Sequence, residues 1–268
     1  MAREKLCGAI LAAGHGSITP GKSKLLENLN DKCTVIEAVV HLLDQQLDIN
    51  RLSVAVNCRF GDALKAKINK SFRGISYARQ YERRGAADAA RLCMEKIYQE
   101  WMDEMFDDIL VVYGDMPLWS EQSLAALIDN HRKQEAILSM FSVDVSNLSP
   151  TETVSQFGRI LRDVDNNIIA VKEPYKMTDE DQEQWQKCQR VNPSAWVFKI
   201  DWLIENIPLL RPHDIPHELW LPDLVPLAVR QGKKILELPL ADYREALGVN
   251  TAEDLAKARE IFKQMHCR

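Results

Sequence analysis

Lys22 and Lys24 follow a run of small residues, Ala12-Ala13-Gly14-His15-Gly16, and that run itself follows a short apolar stretch from Cys7 to Leu11. Side chains of this kind handle phosphate. A buried strand that opens into glycines lets backbone N–H groups approach a nucleotide, and lysines behind it set positive charge against phosphate oxygens. Asp115 follows a second buried run in Val111-Val112-Tyr113-Gly114-Asp115-Met116-Pro117-Leu118. A carboxylate just past a strand, with proline and a Ser120-capped helix behind it, is where an α/β enzyme holds a divalent metal. The same aspartate also fits a plain turn carboxylate.

The loop admits two chemistries. Gly16-Ser17-Ile18-Thr19-Pro20-Gly21-Lys22-Ser23 matches G-x-x-x-x-G-K-[ST], in which Lys22 would reach the β- and γ-phosphates and Ser23 would ligate Mg²⁺. That motif joins a strand directly to a helix, whereas Gly16 lies several residues past the strand and Asn28-Leu29-Asn30-Asp31 stops any helix after barely two turns. A better helix start follows, with Thr34 as N-cap and Glu37 three residues on. Gly14 to Cys33 therefore reads as one long loop, and a P-loop kinase or NTPase using Lys22, Ser23 and Asp115 stands as the alternative enzyme.

Elements able to position these groups recur along the chain. Leu52–Val56, Ile109–Tyr113 and 136–143 read as buried parallel strands, and Leu92, Cys93, Ile97, Trp101 and Met105 mark one helix face. Alternating strands and helices predict a Rossmann-like, doubly wound, mostly parallel α/β sheet, with ligands at the carboxyl ends of the strands. That rule sets the Gly14 loop and the end of the Ile109 strand on one rim. Gln80 to Ala90 reads as a strand end, a basic turn, and Gly85 opening a small-residue helix, where a glutamine amide suits a pyrimidine edge; tight packing of the helix start on the sheet fits equally. Phe157–Arg162 and Ile168–Glu173 flank the turn Asp165-Asn166-Asn167 as a hairpin. Residues 178–187 are polar and acidic, a helix or flap over this second lobe, and 190–198 return a strand to the core. Thr251 and Asp254 form another capping pair, which makes Asn250 a turn residue ahead of a last helix.

Composition narrows the class. The chain has 268 residues, 46% of them hydrophobic and 27% charged, enough for a sizeable core in one α/β domain. A net charge of −5 provides no overall basic field for nucleic acid or anionic membrane, and no apolar run is long enough to span a bilayer. With no signal-peptide core, a cytoplasmic protein is expected. The six cysteines include no C-x-x-C pair and read as free, buried thiols.

The ordered set of motifs resembles the sugar-phosphate nucleotidylyltransferases, most nearly the uridylyltransferase domain of bacterial UDP-N-acetylglucosamine pyrophosphorylases. Leu11 to Ser17 with Lys24-Leu25-Leu26 stand for L-A-A-G-x-G-x-x-M and P-K-x-L; Gln80 and Gly85 for Q-x-x-x-x-G-T; Phe157 to Ile160 for Y-G-R-I; Asn192 for I-N-T-G; and Leu247 to Asn250 for G-V-N. The resemblance implies a nucleotide-binding half over about 1–145, with Leu11, Ala12, Ala13, Gly14, Gln80, Gly85, Ala86 and Tyr113 on the nucleotide. It implies a sugar-binding half over about 146–268, with Gly158, Glu173 and Asn192 on the sugar and Lys172 near phosphate. Lys24 and Asp115 would be catalytic, and Asp115 and Asn250 would hold Mg²⁺. The expected substrates are a nucleoside triphosphate, UTP by resemblance, and an N-acetylglucosamine-1-phosphate-like sugar. The acetyltransferase half of the bifunctional relatives, marked by hexapeptide repeats, is expected to be absent.

Departures from the pattern matter too. Ile18 stands where the family has an arginine for the triphosphate, Ala86 where threonine is usual, and Pro193-Ser194 where the family has Thr-Gly. The first implies a slow enzyme unless Lys22 substitutes for the arginine. Together they leave open a nucleotide-sugar-binding protein that has lost catalysis.

Overall fold

A computed structural model of the chain describes residues 5–149, 153–173, 188–213 and 217–266. The expected segment at 178–187 and Cys267 lie outside them. The five described cysteines are free, with Cys7 and Cys93 buried and Cys58 exposed, so burial is not general.

Among the described residues the strands form one sheet in the order β3-β2-β1-β4-β9-β5-β8-β6-β7, with β10 also on β5. β1 (Leu6–Ala12) pairs in parallel with β2 (Leu52–Asn57) and β4 (Asp108–Tyr113), and β2 with β3 (Ser76–Gln80). β5 (Leu138–Asp144) begins two residues later than the apolar run suggested and is separated from β4 by the antiparallel β9 (Trp196–Lys199). The strand expected at 190–198 is two pieces, β8 (Arg190–Val191) and β9, because Asn192 to Ala195 form a turn with Ser194 at φ 62°. β6 (Arg159–Arg162) and β7 (Ile168–Lys172) make the expected hairpin, and β10 (Ile235–Pro239) adds in parallel to β5.

Period-two alternation sorts the strand residues onto two helix layers. Ile10, Val54, Val56, Leu110 and Val112 face α1 (Val35–His41), α2 (Gly61–Ser71), α4 (Glu121–Lys133) and α7 (Ala252–His266). Cys7, Ala9, Ala55, Ile109 and Val111 face α3 (Ala86–Glu100), α5 (Ile200–Asn206) and α6 (Leu224–Arg230). The α3 stripe stops earlier than its apolar period. Trp101 already leaves helical geometry, and Met105 is exposed in the turn that carries the chain back to β4. No helix among the described residues is long and apolar enough to cross a membrane.

Candidate active site

The parallel strands β3, β2, β1 and β4 end on one rim, and a cleft of about 670 Å³ opens there. Leu11, Ala12, Ala13, Gly14, Lys24, Gln80, Gly85, Ala86, Tyr113, Asp115, Glu173 and Asn250 line it. Residues read from five distant parts of the sequence thus line one cleft. Asn192 and Gly158 are not on its lining.

The glycine loop is built around Lys24. Residues 14–33 form a long loop whose one helical piece is the 3₁₀ segment Lys24–Leu26. Lys24 N–H donates to Gly16 O at 3.0 Å, and a Cβ on Gly16 would lie 2.9 Å from Lys24 Cδ. Gly16 is therefore small so that the lysine stem can pass. Asn57, at the end of β2, secures the loop: its Nδ2 donates to Gly14 O at 2.8 Å and to Ala13 O at 3.2 Å, while its Oδ1 accepts from Phe60 N–H. Nothing in the motif pointed to Asn57; its signal was only a polar residue closing an apolar strand.

At the floor of the cleft Lys24 Nζ donates to Asp115 Oδ2 and to Asn250 Oδ1, each at 2.5 Å. Asp115 arrives from the end of β4, where Gly114 N–H donates to Leu11 O and locks the two strand ends together. Asn250 arrives from the far end of the chain. Val249 N–H donates to Asp115 O at 2.8 Å, and Asp254 accepts from the Asn250 and Thr251 N–H groups as the reciprocal cap of α7. Two hard oxygen donors thus converge on one cation position, now taken by the ammonium. Among the described residues no group of three or more His, Cys, Asp or Glu forms a metal cage. A carboxylate and an amide oxygen suit Mg²⁺ carried in with phosphates, once Lys24 gives way.

The P-loop alternative does not survive this geometry. Lys22 turns back onto Glu27 at 2.9 Å, and Ser23 is fully buried, its hydroxyl accepting from Leu25 N–H. The Glu27 carboxyl feels burial, which would raise its pKa, yet hydrogen bonds from Lys22 and Thr19 bring it below the usual value. Neither Lys22 nor Ser23 lines the cleft. Lys22 is thus engaged with Glu27 and not turned to the cleft, and Ile18 packs against the α1-side core.

On the β3 side of the cleft, Gly85 adopts φ 87°, and a Cβ there would stand 2.4 Å from Leu219 O. The glycine makes room for a wall that the sequence did not reveal. Leu219 N–H donates to Arg84 O, Ala87 N–H donates to Leu219 O, and Arg83 Nε donates to Glu218 Oε1 at 2.6 Å. Glu218 and Trp220 consequently line the cleft, and Trp220 stacks on His213 at 4.3 Å. His15, Gly16, Leu25, Arg83, Ala89, Ser194 and Pro222 complete the lining. On the opposite side the Glu173 carboxylate lies over Gly158, where a Cβ would be 2.9 Å from Oε1. Asn192 is buried, donating to Phe141 O and accepting from Ser194 N–H. Its side chain holds the turn that delivers Ser194 to the cleft.

A strand-rim cleft with a lysine, a carboxylate and an amide converging on its floor is the site of an α/β fold that binds its ligand at the strand ends. The chain belongs to the MobA-like NTP transferase domain family, whose profile matches residues 8–163. It is similar to the bifunctional protein GlmU of Caldicellulosiruptor saccharolyticus, 24% identical over 95% of this chain, and to that of Carboxydothermus hydrogenoformans, 28% identical over 93%. The chain spans about half the length of these curated relatives, 51% of each. Two solved structures share the fold: a CMP:2-keto-3-deoxy-manno-octonic acid synthetase complexed with CTP, and a putative glucose-1-phosphate thymidylyltransferase from Bacillus anthracis. The first has a TM-score of 0.67 at 15% identity, covering 98% of this chain and 100% of the other; the second 0.66 at 18%, covering 96% and 94%. The chain is thus an NTP transferase by family.

Proposed function

We propose that the protein joins UTP to an N-acetylglucosamine-1-phosphate-like sugar phosphate and releases pyrophosphate, with Mg²⁺ required. The observation that carries this reading is the convergence of Lys24, Asp115 and Asn250 beneath the Gly14 loop. A phosphate oxygen of the sugar-1-phosphate attacks the α-phosphorus in line. The new P–O bond forms as the bond to the β-phosphate oxygen breaks, and the electron pair leaves on pyrophosphate. No covalent enzyme intermediate is needed, so the protein's part is positioning and charge neutralisation. Asp115 and Asn250 would hold the metal, which would offset charge on the phosphates between which transfer occurs. Lys24, released from those two oxygens, turns its ammonium to the triphosphate. Gln80, Gly85 and Ala86 frame the base, while Glu173, beside Gly158, faces the sugar hydroxyls.

Pyrophosphate release across a panel of nucleoside triphosphates and sugar-1-phosphates tests the proposal. UTP with N-acetylglucosamine-1-phosphate should give the highest kcat/KM, and only with Mg²⁺ present; a higher value for another pair would reassign the substrates. A second reading has its own observation, since Ile18, half-buried against the core, brings no charge to the triphosphate. If no pair yields pyrophosphate while UDP-sugars bind, the chain is a nucleotide-sugar-binding protein.

A further inference from the structure

Gln80 closes β3 at the cleft, and the two hydrogens of its amide are both committed. Nε2 donates to Asp88 Oδ2 at 2.8 Å and to Gly85 O at 3.1 Å. A carboxylate and a backbone carbonyl can only accept, so the amide has one permitted sense. Reversing it would set Oε1 against two acceptors. What Gln80 can turn toward a ligand is therefore its oxygen, an acceptor and never a donor.

Asp88 in turn cannot move. It lies in the first turn of α3, 3% exposed, and its second oxygen is held by Arg91, from Nη2 at 2.7 Å and Nε at 3.3 Å. Arg91 is anchored a turn further on by Glu95. Each Asp88 oxygen thus has its own donor, and a turn of the carboxylate that freed one would strand the other. Ala86 and Ala89 line the cleft beside Gln80 and present only methyl groups to a flat ring.

We infer that Asp88, held by Arg91, is a positioning residue that fixes the Gln80 amide as an acceptor and so makes the base subsite prefer a pyrimidine carrying N3–H over cytosine. This inference rests on the nucleotidyl-transfer reading above. Uracil and thymine offer a proton at N3, which Gln80 Oε1 accepts. Cytosine offers a lone pair there, and two acceptors then face each other. Leaving such a pair unmatched in a partly buried site should cost about tenfold or more in affinity.

The test is calorimetric titration of the full chain with UTP, dTTP and CTP in magnesium-containing buffer, for the wild type and Asp88→Asn. In the variant, Arg91 keeps the new amide oxygen and the new N–H₂ faces Gln80. Turning Gln80 over then opposes only one acceptor, Gly85 O, instead of two, so the preference for the acceptor sense weakens. The wild type should bind UTP and dTTP at least about tenfold tighter than CTP, and Asp88→Asn should lower that ratio at least about threefold while still binding triphosphate. A merely structural role for Asp88 would weaken all three nucleotides alike. Should Asp88→Asn fail to fold, Arg91→Gln, which frees one carboxylate oxygen, should lower the same ratio at least about threefold. Equal binding of UTP and CTP by the wild type, or an unchanged ratio in the folded variant, overturns the inference and leaves the nucleotidyl-transfer reading standing. Absence of binding by every triphosphate, together with absence of pyrophosphate release, overturns both.

Discussion

The two ends of β4 carry two aspartates in opposite circumstances. Asp108, at its start, is completely buried beneath His131 Nε2 at 3.4 Å, Arg132 Nε at 2.8 Å and Lys199 Nζ at 2.8 Å. His131 is itself buried and shares a hydrogen bond with Ser139 Oγ at 2.7 Å. Burial alone would raise the Asp108 pKa, but hydrogen bonds from these three side chains reverse the effect and hold the carboxyl far below the usual range. Asp115, just past the other end, has one lysine and stands in an open cleft. A carboxylate surrounded by several donors is fixed in its charge and serves the fold. One with a single, displaceable ammonium can exchange that partner for a substrate-borne cation, which is what chemistry at a strand end requires.

Asp115→Ala gives the largest expected effect that would break this contrast. Pyrophosphate release should fall by about 10²–10³-fold, the range for loss of one charge-stabilising group, while the urea midpoint stays nearly unchanged. Lys24→Ala should behave similarly, and should also let Mn²⁺ bind the nucleotide-free protein more tightly, as followed by electron paramagnetic resonance. Asp108→Ala should do the reverse. It takes the shared carboxylate from partly exposed Arg132 and Lys199 and from buried His131, at a cost of about 1–3 kcal/mol in urea denaturation, yet the surviving folded protein should keep its kcat. A loss of kcat there, or of stability at Asp115, would mean that the two ends are not separable in this way.

Acid sharpens the contrast further. Because the folded pKa of Asp108 is depressed, its contribution to stability is complete above the unfolded value of about 4 and is lost as pH falls below it. Denaturation midpoints measured from pH 6 down to pH 2 should show this loss in the wild type and a shallower one in Asp108→Asn. The smallest expected effect belongs to Lys22→Ala. Its ammonium is spent on a partly exposed pair with Glu27, so the cost should be within about 1 kcal/mol of stability and less than about twofold in turnover.

The glycine loop, the strand bearing Asp115, the hairpin and both capping pairs were legible in the sequence because each rests on local pattern. Period-two runs, turn residues and S/T-x-x-[DE] spacings act within a few residues of themselves. The G-x-x-x-x-G-K-[ST] match stayed an alternative for the same reason. A local pattern says nothing of whether Lys22 will find Glu27 or a phosphate. Illegible were the pieces set by distant contacts: Glu218 and Trp220 closing over Gly85, Asn57 gripping the loop, and β9 interposed between β4 and β5. Asn192 shows the mixed case. Its motif implied a place on the sugar, but its amide is occupied in a turn, and the residue delivered to the cleft is Ser194.

The antiparallel rib β9 has a consequence for how the molecule is made. β4 and β5 follow one another in the chain, yet neither meets the other; both wait for Trp196 to Lys199 to fill the gap between them. A nascent chain emerging amino-terminus first has completed its glycine loop and all four neighbouring parallel strands well before this rib is synthesised. Until then β4 and β5 present open edges bearing Ile109, Val111 and Met140, the kind of surface to which other chains add. Closing the gap joins residues some ninety positions apart in one late step, a slow, non-local event of the sort that limits folding rate. The nucleotide rim is thus assembled early but made safe late, by the same stretch of chain whose preceding turn carries Ser194 into the cleft.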